Sequence, residues 1–353
     1  MPKKPASKTA VARVSAVPPA AAGTPSGTPS GAVRTRFRTA ALIGKYGGAC
    51  IAEPIIALAA FLRRRGLAVL FDHDTGATLK AADSEIADIA RIAREADFAI
   101  VVGGDGTMLG IARQVAREGL PVVGVNHGRL GFMTDIPLAS TFEAIGAILD
   151  GNFESESRLM LEARVQRRTS ARAKPQTLFE AVALNDVVIA RGSISGMVEV
   201  SVSVDGVHAY TQRADGLIVA TPTGSTAYSL SAHGPILHPQ LAGLVLVPIA
   251  PQALSNRPIV LPDHVEITVT LDRATQLDHG TMAGNPASAS FDMQTFTELR
   301  EGDEIVIRRS PHRVTFLHPP GYNYFGVLRE KLHWTRMPTG GAARKNARRK
   351  STP

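Results

Sequence analysis

Residues 98–110 read FAIVVGGDGTMLG, and this stretch constrains the fold and the function more tightly than any other part of the chain. The apolar run Phe98–Val102 is typical of a buried strand, and the run Thr107–Glu118 is typical of a helix. A strand, a glycine turn and a helix start together aim backbone N–H groups and the positive end of a helix dipole at an anion. Glycine suits such a turn because a Cβ would keep a phosphate away from the backbone. The stretch therefore predicts a phosphate-binding turn formed by Gly103, Gly104, Gly106 and Thr107.

A carboxylate, Asp105, stands inside this turn. A turn that only cradled phosphate would avoid a negative side chain, so Asp105 is expected to serve a metal ion or to accept a proton from a nucleophile. The open alternative is a tight turn in which the aspartate is only a turn former. Other phosphate motifs do not fit, because there is no Walker A loop and Leu109 stands where a dinucleotide fingerprint needs its third glycine.

Length and composition set broad limits on the class of protein. The chain has 353 residues, which is enough for two domains that each bury a core. No apolar run approaches the roughly 18–20 residues that a membrane-spanning helix needs. The single cysteine, Cys50, excludes an internal disulfide and fits a reducing compartment. We therefore expect a cytoplasmic protein without a membrane partner.

The net charge of +8 is concentrated at the two ends of the chain. Residues 1–36 and residues 335–353 each carry six Lys or Arg and no acidic residue. Removing these twelve charges from the total of +8 leaves residues 37–334 with a net charge of −4. Both ends are predicted to be disordered basic tails, since the first contains almost no large apolar side chains. A mildly acidic body with basic tails does not predict a specific nucleic-acid partner.

Residues 37–157 alternate strand-like and helix-like runs, which predicts a parallel sheet covered by helices. The strand-like runs are Thr39–Gly44, Leu67–Phe71, Phe98–Val102 and Pro121–Val125, and the helix-like runs are Ile51–Arg65, Ser84–Glu95 and Thr107–Glu118. Ligands of such sheets bind beyond the carboxyl ends of the strands. Four loops are expected to meet at that edge, including the glycine turn and the loop that contains Lys45 and Tyr46.

Residues 158–318 have a different sequence pattern, which predicts an antiparallel, mostly β domain. Short β-rich runs are separated by turn signals, with one helical interruption near Ser225–Ser231. Phe179–Ala190 is expected to be one strand, whereas Glu304–Arg309 and Arg313–His318 are expected to be two. Residues 319–334 are predicted to contain a final helix over Asn323–Trp334.

Two polar segments in this second region are candidates for ligand binding. Asn185 and Asp186 interrupt an apolar strand pattern, which is costly unless a ligand or a turn pairs them. The run 221–231 brings hydroxyls and small residues to a strand-to-helix junction, where a base or a ribose could bind. Serine and threonine capping without a ligand is the alternative. The histidines show no metal-binding spacing, so the sequence assigns no metal ligand.

Taken together, the stretches above resemble the NAD kinase family over Phe37 to Trp334. The glycine motif is shared with phosphofructokinases and diacylglycerol-type lipid kinases, but its combination with the run 215–235 is specific. Further matching segments are residues 126–132, 185–186, 255–258 and 291–294.

The resemblance implies transfer of the γ-phosphoryl group of ATP to the 2′-hydroxyl of the adenosine ribose of NAD, giving NADP. It implies that Asp105 accepts the proton of that hydroxyl and that a divalent cation such as Mg²⁺ takes part. It also implies an α/β domain followed by a β-sandwich NAD-binding domain, in a homodimer or homotetramer whose sites border the subunit interface. The positions implied to hold NAD are Asp105, Gly106, Asn185, Asp186, Arg213, Asp215, Thr226, Ala227, Tyr228, Ser229, Leu230, Ser231 and Gln294.

The chain also departs from the family pattern, and two other functions stay open at this point. Asp186 stands where many members carry glutamate, so its ribose contact is expected to be altered or water-mediated. The donor is expected to be ATP, although some members use inorganic polyphosphate. The alternatives are a lipid kinase that shares the glycine turn and a dinucleotide sensor without catalytic activity.

Overall fold

The structure, a computed structural model, describes residues 37–44, 51–128, 130–170, 173–192, 196–274 and 287–334. The two basic tails, the loop residues Lys45 and Tyr46, and Cys50 lie outside these ranges, so the expectations for them stay predictions.

Four parallel strands form the N-terminal part of the larger sheet. They are β1 (Thr39–Gly44), β2 (Ala68–Phe71), β3 (Phe98–Gly103) and β4 (Val122–Asn126). Their order across the sheet is β4-β3-β1-β2. The strands are almost wholly apolar because helices cover both faces of a parallel sheet. The four predicted strands are confirmed to within one residue at each end, and their carboxyl ends meet at one edge.

The helices of this region lie between and beyond the four strands. They are α1 (Ala52–Arg64), α2 (His73–Leu79), α3 (Ile89–Glu95), α4 (Asp105–Val115) and α5 (Thr141–Leu149). A two-residue strand, β5 (Ile136–Pro137), pairs with β4 and leads towards α5.

Two helix predictions are wrong in their bounds. The helix predicted over Ser84–Glu95 begins only at Ile89, because the side chain of Asp88 caps its first turn by accepting a hydrogen bond of 2.6 Å from the backbone N–H of Arg91. The helix predicted from Thr107 begins two residues earlier, at Asp105, since extended Gly104 is its N-terminal cap. Helix α4 therefore starts inside the glycine motif.

Residues beyond 153 are mostly β. The strands are β6 (Glu154–Arg167), β7 (Gln176–Ala183), β8 (Asp186–Arg191), β9 (Val198–Val204), β10 (Val207–Ala214), β11 (Gly216–Ala220), β12 (Gly243–Ile249), β13 (Ile259–Pro262), β14 (Ile267–Ala274), β15 (Ala287–Phe291), β16 (Thr295–Leu299) and β17 (Glu304–His318). A six-stranded antiparallel sheet has the order β13-β12-β11-β8-β15-β16. One continuous apolar core is shared by this sheet and by β6, β9, β14 and β17 of the larger sheet. The fold is thus the predicted α/β arrangement followed by antiparallel β structure.

Strand β17 links the two parts of the larger sheet. It pairs antiparallel with β6 and β14, and its Phe316 pairs parallel with Val122 of β4. The prediction of two strands in this segment is wrong, because the chain continues through a register shift between Arg309 and Arg313. The domain boundary predicted near residue 157 stays a prediction, since this sheet runs across it.

Three further segments complete the described chain. Phe179–Ala190 is two strands rather than one, because the chain turns at Leu184 and Asn185. A 3₁₀ turn (Gly224–Thr226) and the short helix α6 (Tyr228–Ser231) form the predicted helical interruption. The final helix, α7 (Tyr324–Lys331), is shorter than predicted. Among the described residues, no helix has the length and apolarity to cross a membrane.

Candidate functional site

The glycine turn leaves the start of α4 accessible at the carboxyl edge of the parallel strands. A Cβ built on Gly104 or on Gly106 would meet no atom within 4 Å. A cleft of about 560 Å³ runs along this face, and its lining includes Gly104, Gly106, Thr107, Gly110, Arg113 and Gln294. The first N–H groups of a helix have no partner within the helix, so this opening suits an anion.

The carboxylate of Asp105 is fixed by a loop that follows β4. Its two oxygens accept hydrogen bonds from the backbone N–H groups of Phe132, Met133 and Thr134, at 2.7, 3.0 and 3.1 Å. The hydroxyl of Thr134 donates a fourth, at 3.2 Å. We call residues 130–135 the anchoring loop. Four donors from a single loop set the direction in which Asp105 points.

The anchoring loop approaches Asp105 so closely that it needs a glycine. A Cβ on Gly131 would overlap the carboxylate of Asp105 and the hydroxyl of Thr134. Residues 130–132 of this loop belong to a segment that resembles the family, but nothing in the sequence connected the loop with Asp105. The reason is that Phe132 and Asp105 are 27 residues apart, and only the tertiary fold joins them.

Asn185 and Asp186 lie at the turn between β7 and β8. The carboxylate of Asp292 accepts hydrogen bonds from the backbone N–H groups of Leu184, Asn185 and Asp186, at 2.9, 2.7 and 3.0 Å. This turn satisfies the backbone where the apolar pattern breaks. The Oδ1 atoms of Asn185 and Asp186 are nonetheless buried without a hydrogen-bond partner. Unpartnered buried acceptors are costly, and they mark a place where a ligand would supply donors.

Asp186 in this turn and Asp292, which accepts its backbone hydrogen bonds, both have raised pKa values. Burial raises the pKa of Asp186 to about 7, and the negative charge of Asp292 adds to the rise. Burial also raises the pKa of Asp292, although the three backbone donors and Arg113 act in the opposite direction. A ligand donor beside Asp186 would favour its charged form.

A side-chain bridge connects this turn to the glycine motif. The guanidinium of Arg113 donates to Oε1 of Gln294 at 2.7 Å, and the amide of Gln294 donates to the carbonyl of Gly106 at 2.9 Å. Nε of Arg113 lies 3.4 Å from Oδ2 of Asp292, an ion pair without the geometry of a hydrogen bond. Asp105, Gly106, Asn185, Asp186 and Gln294 are thereby brought together. No sequence signal pointed to Arg113, and Asp292 was only part of a matching segment.

The hydroxyl-rich run packs directly on the same turn. The backbone N–H of Thr221 donates to the carbonyl of Asn185 at 2.9 Å, and its hydroxyl donates to the carbonyl of Leu184 at 2.5 Å. A Cβ on Gly224 would overlap the carbonyl of Asn185, so this approach also requires glycine. The residues that follow, 226–231, include Ser229, whose hydroxyl is buried without a partner. The run is therefore held at the site by contacts of Thr221 and Gly224 with the backbone of Leu184 and Asn185.

Arg213 and Asp215 lie elsewhere in the chain. They stand next to the Gly216 end of β11, whereas Asp186 pairs with Ala220 at the opposite end of that strand. Four steps of strand rise separate those ends by about 13 Å. Asp215 contacts Arg191 at 3.2 Å, and Arg213 contacts Glu199 at 3.6 Å. A single copy of the chain does not bring this pair to the turn at Asn185.

No metal-binding group is apparent in the described part of the chain. Among those residues, no three His, Cys, Asp or Glu side chains are grouped so that they could hold a metal ion. A glycine turn with a fixed carboxylate, facing a turn with unpartnered polar groups, is typical of a kinase that acts on a nucleotide.

Comparisons with known proteins identify the kinase more closely. Residues 52–153 match the family model for the ATP-NAD kinase N-terminal domain, and residues 184–319 match that for the C-terminal domain. An NAD kinase of Cupriavidus pinatubonensis is 53% identical over 308 residues, which are 87% of this chain and 96% of the relative. An NAD kinase of Paraburkholderia phytofirmans is 51% identical over 307 residues, covering 87% and 97%. The chain belongs to the NAD kinase family, and its activity is that of an ATP-dependent NAD kinase.

Solved structures agree with this fold. A yeast NADH kinase crystallised with NADH superposes with a TM-score of 0.74 at 22% identity, covering 86% of this chain and 90% of that one. An NAD kinase of Archaeoglobus fulgidus in complex with ATP superposes with a TM-score of 0.62 at 26% identity, covering 83% and 99%. The lipid-kinase and sensor hypotheses are not favoured by these comparisons.

Proposed function

We propose that this kinase transfers the γ-phosphoryl group of ATP to the 2′-hydroxyl of the adenosine ribose of NAD, and that Asp105 accepts the proton of that hydroxyl. The observation that carries the proposal is the carboxylate of Asp105, held by four hydrogen bonds beside an accessible helix start. The ATP complex of the Archaeoglobus fulgidus relative supports ATP as the donor.

In the proposed step, the 2′-oxygen attacks the γ-phosphorus while its proton moves to a carboxylate oxygen of Asp105. The bond from that phosphorus to the bridging oxygen breaks, and ADP leaves with the electron pair. Phosphoryl transfer owes most of its rate to positioning and charge stabilisation. Backbone N–H groups at Gly104 and Gly106 would stabilise the phosphates, because the space in front of both residues is open.

The ribose would be held by the turn between β7 and β8. The unpartnered Oδ1 atoms of Asn185 and Asp186 would accept hydrogen bonds from ribose hydroxyls or from a bridging water. Residues 226–231 and Gln294 would border the same substrate. Because the shorter Asp186 replaces the more frequent glutamate, a bridging water is part of this proposal.

The open glycine turn with its single carboxylate fits a divalent cation that arrives with the nucleotide. Mg²⁺ keeps several waters and is usually held by substrate phosphates with one or two carboxylates, rather than by a cage of protein ligands. The open glycine turn would hold the phosphates that carry such an ion. The bound ion would offset phosphate charge during transfer.

We also propose a cytoplasmic homodimer or homotetramer whose sites border the subunit interface. The exposed positions of Arg213 and Asp215, with side chains 55% and 37% accessible, support a role towards a neighbouring copy rather than within one chain. In that arrangement each copy would complete the dinucleotide site of another.

A donor and acceptor assay tests the proposed reaction. Purified protein is incubated with Mg-ATP and either NAD or diacylglycerol, and the phosphorylated product is located by ³¹P NMR. We expect a 2′-phosphate on NAD and no lipid product. Phosphorylation of the lipid alone, or of NAD at another hydroxyl, would refute the proposal. Replacing ATP by polyphosphate measures the donor preference separately.

A further inference from the structure

A buried chain of four charged side chains lies directly behind the anchoring loop. Asp135, the last residue of that loop, contacts Nδ1 of His318 at 2.9 Å through its Oδ2. Nε2 of His318 lies 3.2 Å from Oε2 of Glu156, and the same oxygen accepts two hydrogen bonds from Arg158, at 3.1 and 2.8 Å. All four side chains are at most 9% exposed. Their signs alternate, so each charge has an opposite neighbour.

This geometry requires the doubly protonated ring of His318. Each ring nitrogen faces a carboxylate oxygen, which can only accept a hydrogen bond, so both nitrogens must donate. The hydrogen bonds that His318 donates to Asp135 and Glu156 raise its pKa, against the opposing effects of burial and of Arg158. Tyr322 stacks on the ring at 3.7 Å and covers one of its faces. The ring therefore connects β6, β17 and the anchoring loop as a cation.

We propose that Asp135 and His318 are positioning residues for phosphoryl transfer, because their ion pair fixes the loop that holds Asp105. This inference rests on the role of Asp105 proposed above. Asp135 directly follows Thr134, which donates two of the four hydrogen bonds to Asp105. The other end of the chain of charges is in β6, where Glu156 and Arg158 pair with strand β17. The paired strands β6 and β17 thus hold the anchoring loop through the contact of His318 with Asp135.

The proposal predicts how the rate depends on pH. A raised histidine pKa means that the ion pair persists below that pKa as long as the carboxylates are ionised, and that it is lost as the pH rises through the histidine pKa. The charged or titratable groups around the ring are Asp135 from the loop, Glu156 and Arg158 from β6, and Tyr322 after β17. Deprotonation of His318 turns one ring nitrogen into a hydrogen-bond acceptor. That nitrogen then faces a carboxylate oxygen, which is also an acceptor, so their hydrogen bond is lost. The anchoring loop is then held less firmly, and kcat falls on the alkaline side.

The test compares two substitutions of Asp135. Asp135→Ala removes the ion pair with His318, and we expect kcat to fall by about tenfold or more. KM for NAD should stay within about threefold, since the ribose contacts lie on another element. Asp135→Asn keeps an acceptor for His318 without the charge. It should restore part of kcat at neutral pH, and it should move the alkaline limb of kcat to lower pH by about one unit.

Asp303→Asn is the matched structural control. Asp303 is fully buried and accepts hydrogen bonds of 2.6 and 2.7 Å from Arg167, at the opposite end of β17. This variant should lose stability in urea unfolding and keep the kcat of its folded fraction. Should Asp135→Ala behave in the same way, with kcat per folded molecule unchanged, Asp135 is only structural and the inference is wrong.

Two further measurements keep the inference separate from the proposed function. Asp105→Asn tests the proton acceptor itself, so a fall of kcat in that variant with none in Asp135→Ala overturns this inference alone. If the Asp135 variants do not fold, the wild-type enzyme carries the test. The alkaline limb of kcat must then coincide with the titration of the His318 ring followed by NMR, and a separation of more than about one pH unit overturns the inference.

Discussion

Asp186→Asn should make the unliganded protein more stable at alkaline pH and should change its stability much less at acid pH. Burial and the charge of Asp292 raise the pKa of Asp186 from 3.8 to about 7. The folded state therefore holds a proton that the unfolded state has already released. For such an acid the stability is highest below pH 3.8 and falls as the pH rises towards 7. Asparagine carries no charge, so the variant does not show this fall.

The size of the change in unfolding free energy follows from the pKa shift of Asp186. About three pKa units correspond to about 4 kcal/mol of destabilisation in the wild-type protein once Asp186 is fully ionised, near pH 8. At about pH 5 the destabilisation by Asp186 is about 2 kcal/mol, since pH 5 lies only part of the way between the pKa values of the unfolded and the folded state. The gap in unfolding free energy between variant and wild type should therefore widen by about 2–3 kcal/mol from pH 5 to pH 8. Any pH-independent effect of the amide cancels in this comparison.

Urea unfolding followed by far-UV circular dichroism at pH 5 and pH 8 measures this gap. The exposed Asp83, substituted by asparagine, is the matched control and should show a constant difference from wild type. A gap for Asp186→Asn that is equal at the two pH values would refute the reasoning. The same variant should raise KM for NAD, because a neutral amide is a weaker acceptor for ribose hydroxyls than a carboxylate.

Further predictions concern the close contacts of the site and the N-terminal tail. Gly131→Ala should lower kcat by about tenfold or more, because the new methyl group displaces Asp105, and steady-state kinetics would contradict this if kcat were unchanged. Gly224→Ala should raise KM for NAD by pushing the turn at Asn185 outward, and isothermal titration calorimetry should detect the matching loss of NAD affinity. Gln294→Ala should weaken NAD binding by removing the bridge from Arg113 to Gly106, and an unaltered affinity would count against that role. Deleting residues 1–33 should leave turnover intact, and a loss of activity would show that the tail takes part.

The parallel sheet could be predicted from sequence because each of its strands is a short, nearly continuous apolar run. The shortness of such a run and the turn signals beside it favour a strand buried on both faces, and the predicted bounds of β1 were correct at both ends. The antiparallel region was harder to divide. The segment at the register shift of β17, between Arg309 and Arg313, resembles a turn between two strands in sequence. The break at Leu184 and Asn185 was expected only as a polar interruption of one strand, because apolar residues continue on both sides of it.

The candidate site was predictable only where one segment carries its own signal. Gly104 and Asp105 stand out because three glycines in four positions follow a buried strand and enclose a single carboxylate. Arg113 and Asp292 were missed, since an arginine in a helix and an aspartate after a strand are common on protein surfaces. Only the fold shows that both are shielded from solvent, with side chains 14% and 0% exposed, and that these distant parts of the chain meet.

The proton acceptor is tested most directly by the kcat of Asp105→Asn, measured with saturating Mg-ATP and NAD on protein whose NAD affinity has been checked by calorimetry. Asparagine retains a similar shape but does not take up the proton, so we expect kcat to fall by about 10²-fold or more while NAD still binds. A variant that makes NADP at the wild-type rate would contradict the proposed role of Asp105 as the proton acceptor.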